Sequence, residues 1–105
     1  LDAVTAVSGS GPAYVFLLAE CLAAAAEQEG IDRATAIRLA NATVAGAGAL
    51  MLETGEAPGA LRKQVTSPGG TTEAALDILG AGEGLGPLLR RAVAAATQRS
   101  RELGK

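Results

Sequence analysis

Two long stretches are almost wholly apolar, VFLLAECLAAAA from Val15 and LANATVAGAGALML from Leu39, and few charges interrupt them. The first predicts a helix over Pro12 to Glu29, with Pro12 tolerated in its first turn, Ser10 as N-cap and Gly30 as the left-handed residue after its end. Asp32 can cap a second helix that runs to about Thr54 and is closed by Gly55. A short helix from Pro58 to about Val65 follows, stopped by Pro68 and Gly69-Gly70. A fourth begins around Thr71 to Glu73 and runs to Leu79, and GAGEGLGP (80–87) is a glycine-rich connection. Pro87 opens the last helix, in which Leu88, Leu89, Ala92 and Ala96 recur at helical spacing while the arginines face water. Only DAVTAV at the start reads as strand-like, and no repeat is evident. The pattern predicts an all-α bundle of about five helices.

In the second helix Ala36, Ala40, Val44 and Ala47 line one side, and Ala42, Gly46 and Leu50 another. Small residues at helical spacing let another backbone approach closely. A helix apolar all round is buried somewhere, so the stripe is either an interface between two chains or the centre of one domain. Two interior glycines cost roughly 1 kcal/mol each against alanine, which is consistent with a close-packing role.

A chain of 105 residues is the size of one domain. Half its residues are apolar, yet alanine alone supplies nearly half of these, with leucine and valine next, and the aromatics are Tyr14 and Phe16. At roughly 25 cal/mol per Å² such small side chains make a thin core, which a partner chain would thicken. A net charge of −2, with basic residues clustered only at Arg90, Arg91, Arg99 and Arg101, gives no electrostatic case for nucleic acid. The lone Cys21 excludes an internal disulfide and multi-cysteine metal motifs, and fits a reducing, cytoplasmic compartment. With no histidine, catalysis cannot use Ser-His-Asp, Cys-His or His-zinc systems; no metal is expected. The uncharged run Ala3 to Ala19 is shorter than a bilayer span and broken by Gly9, Gly11 and Pro12, so no membrane helix or signal peptide is expected. Met51 is the only methionine, which suggests a piece of a longer protein.

Two glycine loops are candidates for chemistry. VSGSGPAY (7–14) supplies two glycines of a dinucleotide-binding G-x-G-x-x-G, but Tyr14 stands where the third must be small, and helices follow instead of strands. Its plain reading is a turn and a cap, although it could still touch a ligand held elsewhere. VTSPGGTTE (65–73) is the stronger signal. Glycines let a backbone fold around a small anion, and a helix start offers unpaired N–H groups with partial positive charge. Thr71 or Thr72 could add a hydroxyl to that carboxylate or phosphate cradle. Either could equally be an N-cap, the commoner use of threonine at a helix start, with Glu73 supplying a first-turn negative charge.

Together AVSGSGPAYVF, ETGEAPGALRKQVTSPGGTTEAAL and AVAAATQRSREL resemble the C-terminal domain of pyrroline-5-carboxylate reductase over nearly the whole chain. VTSPGGTT after a PG-x-L-[KR] helix is the specific element. The resemblance implies a helical domain like the C-terminal domain of 6-phosphogluconate dehydrogenase, interlocked with a second subunit in a homodimer that can assemble further. It implies reduction of 1-pyrroline-5-carboxylate to proline by hydride from NADPH or NADH. It places the substrate loop at Val65 to Thr72, including Ser67, with amides around Gly69, Gly70 and Thr71 on the carboxylate and the Thr72 hydroxyl on the ring nitrogen. Ser8, Gly9, Ser10, Gly11 and Pro12 would lie near the nicotinamide. The N-terminal Rossmann domain that would bind the dinucleotide is absent from residues 1–105, so this piece alone is expected to dimerise without catalysing.

Two other readings compete. One is a stand-alone helical interaction module whose glycine loops are only turns. The other is the helical domain of a related hydroxy-acid dehydrogenase, but such enzymes generally use a catalytic lysine, and neither Lys63 nor Lys105 sits in an obvious motif for it.

Overall fold

The computed structural model describes Leu1 to Gly104, and all its regular structure is helical. Asp2–Val4 (α1) leads into a π-helical turn, Thr5–Gly9, followed by α2 (Gly11–Gln28), α3 (Arg33–Thr54), α4 (Pro58–Gln64), α5 (Thr71–Leu79) and α6 (Leu85–Leu103). The five longer helices fall where the apolar and breaker patterns put them. Asp32 caps α3 by accepting the Thr35 N–H at 3.1 Å, and Gly30 and Gly55 take positive φ of 99° and 64°.

The start of the chain departs from expectation. DAVTAV is helical, and Ser10 has right-handed helical angles (φ −84°, ψ −24°) with its N–H on the Thr5 carbonyl at 2.9 Å, so it caps nothing. Pro12 explains the widened turn: its ring has no N–H for the Ser8 carbonyl and would collide with it in a regular α-helix. The Ser8 hydroxyl donates to the Val4 carbonyl at 2.9 Å. Helix therefore continues through the glycines. By length and composition alone, Asp2–Gln28 and Arg33–Thr54 are each long and apolar enough to cross a membrane, a criterion that the core helix of a soluble protein also meets.

The chain forms two compact units. In Gly11–Glu56, α2 and α3 pair as a helical hairpin around Ala23, Ala36 and Ala40, with Ala26 and Ile31 against them. The predicted stripe is buried only at Ala36 and Ala40; Val44 is half-buried and Ala47 exposed. In the other unit, residues 1–10 with the chain from Ala57 onward, α1 and the π turn pack on α6, where Ser100 Oγ donates to Asp2 Oδ1 at 2.7 Å. Of the stripe expected on α6, only Ala96 is half-buried, because α6 meets α1 and the π turn on the side that carries Ala96 and Ser100 and leaves Leu88 and Leu89 exposed. α6 starts two residues before Pro87, after Gly84, where a Cβ would run into the Leu79 carbonyl oxygen.

Among the described residues the buried apolar side chains are four alanines, Ala6, Ala23, Ala36 and Ala40. Phe16 is 69% exposed and Leu52 88%. Extensive exposed apolar surface of this kind marks an interaction surface.

Candidate functional site

The residues of the second glycine loop lie in one continuous turn between α4 and α5. Val65 ends α4, with its N–H on the Arg62 carbonyl, and the Thr66 hydroxyl is spent on that same carbonyl at 2.6 Å. Ser67 to Gly70 form a tight turn: the Gly70 N–H donates to the Ser67 carbonyl at 3.0 Å, Pro68 takes the second position and Gly69 the third with φ 72°. Proline followed by a positive-φ glycine is the signature of a type II turn. A Cβ on Gly70 would lie 3.2 Å from the Ser67 carbonyl oxygen, so the close return of the backbone favours glycine there too.

α5 begins without a side-chain cap. Gly70 is its N-cap, in extended geometry (φ −87°, ψ −178°), and Thr71 and Thr72 are its first two helical residues. The N-cap reading of these threonines therefore fails, because their side chains start too far along the helix to reach back to its orphan donors. Among the described residues neither hydroxyl makes a hydrogen bond, and Thr72 is half-buried while Thr71 is exposed.

The amides divide into two groups. Those of Gly69 and Gly70 are occupied, the first by Glu73 Oε1 at 3.1 Å and the second by Ser67. Those of Thr71, Thr72 and Glu73 have no carbonyl to meet, since the first intrahelical bond is from the Ala74 N–H to the Gly70 carbonyl at 3.3 Å. Of the three amides expected to face an anion, the Thr71 N–H is the one left open, and the open set moves one residue deeper to include Thr72. These N–H groups carry the positive end of the α5 dipole. With two unspent hydroxyls they can grip a carboxylate and hold one further polar atom beside it. Glu73 is the residue the sequence reading undervalued; its position three residues into the helix, where an acidic side chain commonly reaches back to a preceding N–H, is the available signal.

The first glycine loop is a different object. Gly9 and Gly11 have negative φ, and Ser8, Gly9 and Ser10 sit in or beside the π turn, with Gly11 and Pro12 opening α2. That backbone offers no ring of free amides, so it does not fit dinucleotide phosphates. Lys63 is exposed on α4, and Lys105 lies outside the described residues. The helical hairpin carries an open groove of about 450 Å³ lined by Phe16, Glu20, Glu27, Arg33, Ile37 and Asn41. Its two carboxylates outnumber the one guanidinium, which disfavours a small acid, and its apolar walls suit a packing helix better. Among the described residues no three His, Cys, Asp or Glu side chains gather as a metal site.

Comparison with known proteins places the chain in a family. A family model described as pyrroline-5-carboxylate reductase dimerisation matches residues 1–103. The pyrroline-5-carboxylate reductase of Pseudomonas aeruginosa is 50% identical over 105 residues, covering 100% of this chain and 38% of the relative. That of Arabidopsis thaliana is 49% identical over 104 residues, covering 99% and 37%. Among solved structures, a pyrroline-5-carboxylate reductase from Coxiella burnetii superposes with a TM-score of 0.93 at 48% identity, over 99% of this chain and 38% of that one. The Plasmodium falciparum pyrroline carboxylate reductase, solved with NADP bound, gives 0.91 at 32%, over 99% and 39%. The chain thus spans well under half the length of these relatives. The all-helical architecture, the turn ahead of α5 and the match over residues 1–103 lead to one assignment: the chain belongs to the pyrroline-5-carboxylate reductase dimerisation family.

Proposed function

We propose that this chain is the dimerisation and substrate-binding part of a pyrroline-5-carboxylate reductase, which reduces the cyclic imine 1-pyrroline-5-carboxylate to proline. The observation that carries the reading is the start of α5, where the Thr71 and Thr72 amides are unpaired and both hydroxyls are unspent. The amides take the substrate carboxylate and the Thr72 hydroxyl takes the ring nitrogen. An imine reduction needs orientation and a stabilised nitrogen, not a histidine or a covalent nucleophile. An alcohol is too weak an acid to protonate the imine, so the nitrogen proton comes with the substrate or from water and Thr72 positions the ring.

The hydride is supplied by NADPH or NADH. Because Ser8 to Pro12 do not fit its phosphates, a Rossmann domain outside residues 1–105 holds it, and the π turn meets at most the nicotinamide end; π turns are frequent at functional sites. The exposed apolar faces of α2 and α3 pack against a second copy of the chain, and the fragment alone dimerises without turnover. A cytoplasmic location goes with this reading.

In the full-length reductase, Thr72→Ala should lower kcat/KM by about 30- to 700-fold with the fold intact, the range for losing one oriented hydrogen bond at the reacting atoms. Unchanged turnover would remove Thr72 from the mechanism, and would favour a helical interaction module whose glycine loops are turns only.

A further inference from the structure

We propose that Glu73 is a positioning residue for the carboxylate cradle, acting through the Pro68–Gly69 peptide; the inference rests on reading Val65–Thr72 as the substrate loop. A turn with proline second and glycine third can exist as type I or type II. The two forms follow nearly the same path and differ in the orientation of the peptide between those residues. Proline accepts the second position of both, and glycine accepts the third, so Ser67–Gly70 alone does not choose.

Glu73 makes the choice. The N–H it accepts, that of Gly69, belongs to the peptide unit that would flip. A flip would carry the donor away from Oε1 and break a charge-assisted bond. The same bond ties the first turn of α5 to the residue before its N-cap, so it fixes how Gly70 delivers Thr71 and Thr72 into the helix. It also draws the Glu73 carboxylate onto Gly69, leaving the Thr71 and Thr72 amides open for the acid.

Steady-state kinetics of the full-length reductase with Glu73→Ala, Glu73→Asp and Glu73→Gln test this. Alanine removes the acceptor, aspartate keeps the charge but is too short to reach Gly69, and glutamine keeps a carbonyl oxygen at the right length. Alanine and aspartate should each raise the KM for 1-pyrroline-5-carboxylate about five- to tenfold, with kcat and the cofactor KM within about twofold of wild type, and glutamine should restore most of the loss. A wild-type KM in the alanine variant, an unaffected aspartate variant, or a glutamine variant as impaired as alanine would overturn the proposal. Thr72→Ala in the same assay separates the two levels. If Thr72→Ala is impaired while the Glu73 variants are normal, only the role of Glu73 fails. If Thr72→Ala is normal, the substrate-loop reading itself fails.

Discussion

Thr72 and Asp32 are both short polar side chains at a helix start, and the structure gives them opposite uses. Asp32 lies outside its helix and spends its carboxylate on the Thr35 N–H, a bond that holds its pKa below the usual carboxylate value. Thr72 lies inside its helix and spends nothing. The sign of the Asp32 effect follows from linkage. A carboxyl with a lowered folded-state pKa stabilises fully above its unfolded-state pKa, and the contribution fades as pH falls through the folded-state value. Asp32→Ala should therefore lower the melting temperature at neutral pH, with the gap to wild type closing in acid. A gap that stays constant down to pH 2 would show that the cap is not the source. Asp32 was legible from sequence because a cap needs only local spacing. The uses of Thr71, Thr72 and Glu73 were not, because one residue of shift in the helix start decides which side chains cap and which stay free.

Among the elements, the connection between α4 and α5 shows the same limit from the side of the backbone. Pro68, Gly69 and Gly70 announce a stop and a turn, while the division of amides into occupied and open depends on the turn type, which the φ of 72° at Gly69 marks as type II. Gly69→Ala would put a Cβ in the left-handed region, at roughly 1–2 kcal/mol. It should weaken substrate binding in the full-length enzyme by about tenfold, whereas Gly59→Ala, at a helical glycine with open space around its Cβ, should leave KM unchanged. Equal effects of the two would mean that the turn does not shape the cradle. At the other end of the chain, DAVTAV misleads because its β-branched valines and threonine favour a strand by local propensity. Its helical state depends on packing against α6 and on a π turn that relieves Pro12, and neither is visible in a window of six residues.

At the scale of the molecule, the alanine-rich composition announced a thin core, and the structure buries only alanines completely among its described residues. α2 and α3 carry apolar side chains on more sides than one hairpin can cover, so which faces are core and which are interface was open in the sequence. Burying an exposed leucine or phenylalanine is worth about 1.5–3 kcal/mol, enough in sum for a second copy to complete the fold. On the proposed reading, the helix starts are then held firmly enough for a few free amides and a hydroxyl to orient a substrate of only a handful of atoms. The most direct test is a crystal structure of the full-length reductase with proline bound. The proline carboxylate should lie on the Thr71 and Thr72 amides, its nitrogen within hydrogen-bond reach of Thr72 Oγ1, and α2 and α3 should be covered by the same domain of a second subunit. Proline bound away from α5, with those amides facing only water, would contradict the account.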